Sequence, residues 1–277
     1  MSLRLLEGEV VVNGPIAYVV KGYQHPPGYL VAYPRYNILS RRKLQRHEAK
    51  IYENTMYWSC IQRSVPVVPR SAWPYTLRER PLGALDPLIS MLESLLEVDL
   101  YPTGSSLFVE RPNDYDFIVY GADQEVVSRL RELIDRDVIK VNVDILVREY
   151  IEKHSSVLSL SDYLRIKKST ILHGLFQGFH VNFKLVELKT GFNECVDPVI
   201  SYEDYTGPVA IVEALNPHII PARYRAVIRG VELILESLRE IYSELEPGTY
   251  WVENARLEHR PSGVHLVPDL GVLRPIT

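Results

Sequence analysis

Residues Tyr101 to Gly121 read Y-P-T-G-S-S-L-F-V-E-R-P-N-D-Y-D-F-I-V-Y-G. The stretch follows an apolar approach, Val98-Asp99-Leu100-Tyr101, and opens on a tight turn at Gly104-Ser105-Ser106. Asp114 and Asp116 then lead the apolar run Phe117-Ile118-Val119-Tyr120. Residues i and i+2 of a strand point to the same face, so this spacing sets two carboxylates side by side at the start of a buried strand. Like charges so placed repel unless a cation lies between them, and hard oxygen ligands suit Mg²⁺ or Mn²⁺. The Gly-Ser turn offers backbone N–H groups and hydroxyls to phosphate oxygens.

A Gly-Ser turn, a short gap and Asp-x-Asp leading an apolar strand resembles the signature of the polymerase-beta-like nucleotidyltransferase superfamily. The segments H-P-P-G-Y-L-V-A-Y-P-R-Y and H-I-I-P-A-R-Y-R also resemble an archaeal group of uncharacterised predicted nucleotidyltransferases. The resemblance implies that Asp114 and Asp116 hold a divalent metal. It also implies that Gly104, Ser105 and Ser106 hold the triphosphate of a nucleotide, and that a third carboxylate stands on a neighbouring strand. The reaction implied is Mg²⁺-dependent transfer of a nucleotidyl group from a nucleoside triphosphate to an acceptor hydroxyl. The alternative is a catalytically silent module that keeps the fold and binds nucleotide or RNA.

Composition is compatible with either. An apolar fraction of 46% with 24% charged residues is that of an ordinary globular protein. A net charge of −4 argues against coating nucleic acid electrostatically, while leaving room for a local basic patch that could meet RNA or DNA. No apolar run approaches the ~18 residues of a membrane helix. The first residues lack the apolar core of a signal peptide, so a cytoplasmic protein with no membrane partner is expected. Cys60 and Cys195 are too few and too far apart for a zinc knuckle, and are expected as buried thiols unless a hyperthermophile pairs them.

Upstream of the turn, E-V-V-V-N-G-P-I-A-Y-V-V is a hairpin signal with its turn at Asn13-Gly14-Pro15. Tyr29 to Tyr33 reads as a further strand that Pro34 should end. Ser40 to Lys50 is the densest basic run, and by default it is a solvated face. Prolines recur between Ser64 and Pro87, which predicts an irregular connector. Asp86-Pro87 then starts a helix that delivers the chain to the Gly104 turn.

Downstream, Asp123 to Arg136 is an amphipathic helix with Val126, Val127, Leu130 and Leu133 on its stripe. The β-branched alternation over Val138–Val147 predicts the neighbouring strand and makes Asp144 the third carboxylate. Val143, Val147, Tyr150 and Ile151 also make a helical stripe. On that parse the strand is His180–Val186, with Asn182 or Lys184 where the resemblance wants Asp. Ser159 to Gly178 is expected as a third helix. Its Lys167 and Lys168 are the candidate triphosphate cations, and its His173 reads as a core histidine.

From His180 onward the pattern is largely β, and Val231–Leu245 is read as strand although helical spacing also fits. Tyr205, Trp251, Arg223 and Arg225 there could grip bases or simply pack. The expectation is an α+β protein with three parts. They are an N-terminal β unit and connector over 1–74, a nucleotidyltransferase-like core over 75–190, and a C-terminal, barrel-like β unit over 191–277.

Overall fold

The computed structural model describes residues 6–74, 86–108, 112–188 and 195–276. β1 (Val10–Asn13) turns back at Gly14, where φ is +59°, into β2 (Ile16–Val20). β3 (Tyr29–Asn37) pairs with β2 and carries the short β4 (Arg42–Lys43) at its end. β3 therefore runs through Pro34, where a strand end was expected. Tyr18 faces Pro34 and Ala17 faces Tyr36, leaving Arg35 as an extra residue. A bulge interrupts the ladder, which is where a strand tolerates proline.

After α1 (Arg46–Ile51), β5 (Asn54–Trp58), β6 (Arg63–Pro69) and β7 (Trp73–Pro74) complete a seven-stranded sheet in the order β5-β6-β3-β2-β1-β7. The proline-rich connector thus contains a strand, with Val65, Val67 and Val68 buried. Pro66 pairs only with β5 and Pro69 only with β3, so each lies where β6 has a neighbour on one side. A missing N–H costs nothing on the unpaired side. Residues 75–85 of that connector lie outside the described residues. Cys60 and Cys195, expected as thiols, form a disulfide across a sequence separation of 135.

α2 (Asp86–Leu96) begins where the Asp-Pro pair places it, burying Leu88, Leu92 and Leu96 and leaving Leu95 exposed. β8 (Tyr101–Thr103) leads into a 3₁₀ turn, Gly104–Leu107, and then β9 (Tyr115–Tyr120). α3 (Gln124–Asp135) starts behind Asp123, whose carboxylate accepts from the N–H groups of Glu125 and Val126. It buries the four residues of the expected stripe.

The next segment departs from expectation. Val143–Glu149 is helix α4, not strand, and the chain continues through a π-helical turn at Tyr150–His154. The Asn142 side chain accepts from Ile145 N–H, and this cap decides the contest between the two periodicities in favour of the helix. α5 covers only Leu160–Lys167. The rest of the expected helix is β10 (His173–Phe176), joined to β11 (Phe179–Val186) through Gln177 and Gly178 at φ +52° and +83°. Positive φ at both positions is the two-residue hairpin loop that strand twist favours. The second sheet runs β10-β11-β9-β8.

The C-terminal region closes into a barrel. Its strands are β12 (Ser201–Asn216), β14 (Ala222–Ile228), β15 (Val231–Ser237), β16 (Gly248–Arg260) and β17 (Gly263–Val267). The short β13 (Ile219–Ile220) adds to β11, and β18 (Val272–Pro275) adds to β16. β12 pairs with both β14 and β16, and β15 runs parallel to β17, so the ring β12-β14-β15-β17-β16 has no open edge within it. Val231–Ser237 is strand, as read, and a 3₁₀ turn follows at Glu240–Tyr242. Tyr224, Leu235, Tyr242, Val252 and Leu266 fill the barrel, with Tyr163 and Ile166 of α5 in the same core.

Two compact units result. One comprises Met1–Gly121, Val181–Phe183 and Leu188–Pro198; the other comprises Ala122–His180, Lys184–Glu187 and Val199–Thr277. Among the described residues no helix is long and apolar enough to cross a membrane.

Two measurements check this account. Reducing Cys60–Cys195 opens a loop of more than a hundred residues in the unfolded chain, so dithiothreitol should lower stability by about 2–5 kcal/mol, read as a shifted urea midpoint. The second concerns Glu236. Burial pushes its carboxyl up, but Arg260 and Arg223, each 2.9 Å away, outweigh it and hold the group at about 2. A depressed folded value gives stability that is complete above about pH 5 and is lost as pH falls toward 2. The drop from 4.5 to about 2 corresponds to ~3 kcal/mol. Glu236→Gln should therefore flatten the acid limb of a stability profile over that window.

Candidate functional site

Asp114 and Asp116 come together as the strand spacing predicts, both half-buried at the start of β9. β8 is antiparallel to β9 with Thr103 opposite Asp116, which brings the Gly104 turn onto the second carboxylate. Gly104 has φ +71°, a conformation glycine adopts without steric cost. A Cβ at this position would lie 2.2 Å from Asp116 Oδ2. The close approach that requires glycine is therefore the approach of the turn to a carboxylate of its own chain. Ser106 is buried and donates its hydroxyl to the Thr103 carbonyl at 2.7 Å, and the Ser105 carbonyl accepts from Phe108 N–H at 3.0 Å. Of the two hydroxyls expected at phosphate, Ser106 is committed to holding the turn.

The strand beside β9, on the side away from β8, is β11. It presents Asn182, which is buried and donates from Nδ2 to both acids: 3.1 Å to Asp114 Oδ2 and 2.8 Å to Asp116 Oδ1. One amide thus bridges the pair. This answers the repulsion built into D-x-D with two hydrogen bonds from one neutral donor group, each charge-assisted by its acceptor. Asn182 is the residue the first-choice parse missed. Its signal was the alternating run His180–Val186, passed over because Asp144 supplied a carboxylate in a competing β-branched run.

Asp144 stands in the first turn of α4, so residues 143–149 do not form the neighbouring strand that was to carry the third carboxylate. Lys167 is fully buried, with its ammonium on the carbonyls of Glu240 and Ser243 and on the Glu244 carboxylate at 3.0 Å. A phosphate could reach it only by breaking that cage. The Glu244 carboxylate also accepts from the Thr170 hydroxyl and from Ile171 N–H. Lys168 is exposed and paired with Glu246 at 2.8 Å. His173 is a core residue, with Nδ1 3.0 Å from Glu149.

Candidate base-gripping groups on the barrel are also occupied. Arg223 pairs with Glu187 and Glu236, Arg225 pairs with Glu213, and buried Tyr205 donates to the Pro208 carbonyl. Within the basic run of residues 40–50, Arg42 forms a two-armed pair with Glu48.

Among the described residues no group of three or more His, Cys, Asp or Glu side chains is gathered around a point that could hold a metal. Asp114 and Asp116 alone are a sparse donor set, and the amide between them turns hydrogens, not lone pairs, toward the carboxylates. Mg²⁺ is nevertheless commonly held by one or two carboxylates with the rest of its shell from substrate phosphates and water. The pair by itself supplies only part of such a shell. No protein-family model, curated protein or solved structure matches this chain.

The two roles of the site glycine can be separated from those of the amide by mutation. Gly104→Ala sets a Cβ against Asp116 Oδ2 and must displace that carboxylate, so responses to divalent metal and to triphosphate should fall together in thermal-shift titrations. Asn182→Ala removes both bridging donors and should cost about 2 kcal/mol in the metal-free protein. Added Mn²⁺ should restore part of that loss by taking the place of the amide.

Proposed function

We propose that the chain is a nucleotide-binding module of nucleotidyltransferase type. It takes a nucleoside triphosphate with its Mg²⁺ at Asp114 and Asp116 and does not transfer the nucleotidyl group. The observation that carries this reading is the bridging amide of Asn182. A metal-assisted attack by a hydroxyl needs a group to take the proton and hold the nucleophile's oxygen beside the pair. Asn182 occupies the strand position next to both acids and is neither a base nor an anion.

When bound, Mg²⁺ would offset phosphate charge. The chain's own part is to orient that ion through two carboxylates fixed by Asn182 and by the Gly104 turn. A small anionic ligand is also favoured over a polymer. The net charge is −4, and the barrel arginines that might track a phosphate backbone are neutralised by glutamates. Small closed barrels can carry oligonucleotides, but such a face needs uncompensated cations.

The test uses the full chain with Mg²⁺ and each ribonucleoside triphosphate. Calorimetry should show binding that Asp114→Asn with Asp116→Asn abolishes. Incubation of the parent with α-labelled triphosphate and hydroxyl acceptors (RNA, tRNA, protein) should leave no labelled product. Labelled product from the parent, lost in the double variant, would overturn the silent reading and restore the transferase.

A further inference from the structure

Residues 39–53 contain the densest basic run of the chain, five arginines and lysines against two glutamates. That is a local charge of +3 on a protein of net −4. A hairpin and a short helix display it. β3 and β4 pair Asn37 with Arg42, and the Asn37 side chain accepts from Leu39 N–H and Ser40 N–H, each at 3.0 Å, which fixes the hairpin tip. Arg42 Nη1 donates to the Glu48 carboxylate of α1 at 2.8 Å, and Glu48 also accepts from Gln45 N–H at 2.7 Å. Glu48 and Ile51 stand three residues apart on α1 and so share a helix face. The tip that carries Leu39 is thus tied, through Arg42 and Glu48, to the helix face that carries Ile51.

Leu44 and Ala49 anchor this segment in the core of the N-terminal sheet, while α1 has no fully buried residue. Leu39 is 81% exposed and Ile51 76%, the highest values for any large apolar side chain among the described residues. Arg41, Lys43, Arg46 and Lys50 lie between them in the chain and are exposed as well. An aliphatic side chain left in water forgoes the gain of burial. The two clearest cases of that loss therefore coincide with the greatest local excess of positive charge.

We propose that the β3–β4 tip and α1 form a docking surface for an anionic membrane. Leu39 and Ile51 enter the headgroup boundary, and Arg41, Lys43, Arg46 and Lys50 meet lipid phosphates and carboxylates. Peripheral docking of this kind needs apolar tips set among cations and no spanning segment. Nucleic acid would use the same cations, but its bases are held by stacking on aromatic rings. Tyr52, exposed at the end of α1, suits either partner. Leu39 and Ile51 have neither ring nor polar end, and a lipid surface buries them where a base would not. With the rest of the chain acidic, the attraction is short-ranged and weakened by salt.

The experiment sediments the full chain with phosphatidylcholine vesicles, with and without phosphatidylserine, and separately titrates it into a fluorescent single-stranded RNA. The parent should pellet with the phosphatidylserine vesicles, not with pure phosphatidylcholine, and high salt should release it. Leu39→Ser/Ile51→Ser and Arg46→Ser/Lys50→Ser should each weaken that binding about 10-fold or more. Their melting temperatures should match the parent's, because all four side chains are exposed. Vesicle binding undiminished in Leu39→Ser/Ile51→Ser would overturn the membrane reading, as would a parent that binds no vesicle. RNA binding lost in Arg46→Ser/Lys50→Ser, with no vesicle binding by the parent, would assign the surface to nucleic acid instead.

Discussion

Two carboxylates on one strand face must be reconciled before anything else in this sheet can be stable, and a single amide does it. Asn182 reaches Asp114 and Asp116 from the adjacent strand with two donors on one nitrogen. Removing it would leave two half-buried acceptors without those bonds, side by side in a medium of reduced dielectric, where an unmet polar group is costly. The pairing of β11 with β9 and the seating of the Gly104 turn on Asp116 both depend on where those oxygens are held. A site built this way is organised before any ligand arrives.

The same economy of donors governs the other buried charges, with a different outcome. Lys167 sits at the end of α5, where a lysine would ordinarily reach solvent. It is instead enclosed by two carbonyls and the Glu244 carboxylate. Glu149 lies among His173, His154 and Lys153. Burial pushes its carboxyl up, but attraction to His173 and Lys153 and a hydrogen bond from His154 outweigh burial and hold it well below the usual range. These are structural centres of the second unit. Their polar groups are consumed by one another, so a cation of suitable type and spacing in the sequence was not a cation available to a ligand.

Irregularities in the N-terminal sheet follow from one-sided pairing. Pro66 and Pro69 sit where β6 has only one neighbour, and Pro34 sits beside the Arg35 bulge. None of these prolines breaks its strand, because none is asked for a donor that a partner needs. Beyond the bulge, Tyr36 packs with Leu107 and stacks on Phe108 at the end of the Gly104 turn.

The local sequence determined much of this. The Asn-Gly-Pro hairpin, the α2 start at Asp86-Pro87 and the stripe and cap of α3 depend on neighbours a few residues apart. So does the juxtaposition of Asp114 with Asp116, and all of these are legible from spacing alone. The C-terminal region was legible as β and barrel-like, but which strands close the ring was not, because closure depends on β12 pairing with the distant β16 as well as with β14. Residues 138–147 satisfied both periodicities, and only the Asn142 cap and burial of Ile145, Leu146 and Glu149 chose the helix. That choice passed the strand position to Asn182. The pairing of Cys60 with Cys195 and the enclosure of Lys167 are likewise decisions of tertiary structure. Each depends on which distant groups reach a given atom first, and residue type and spacing carry no record of that.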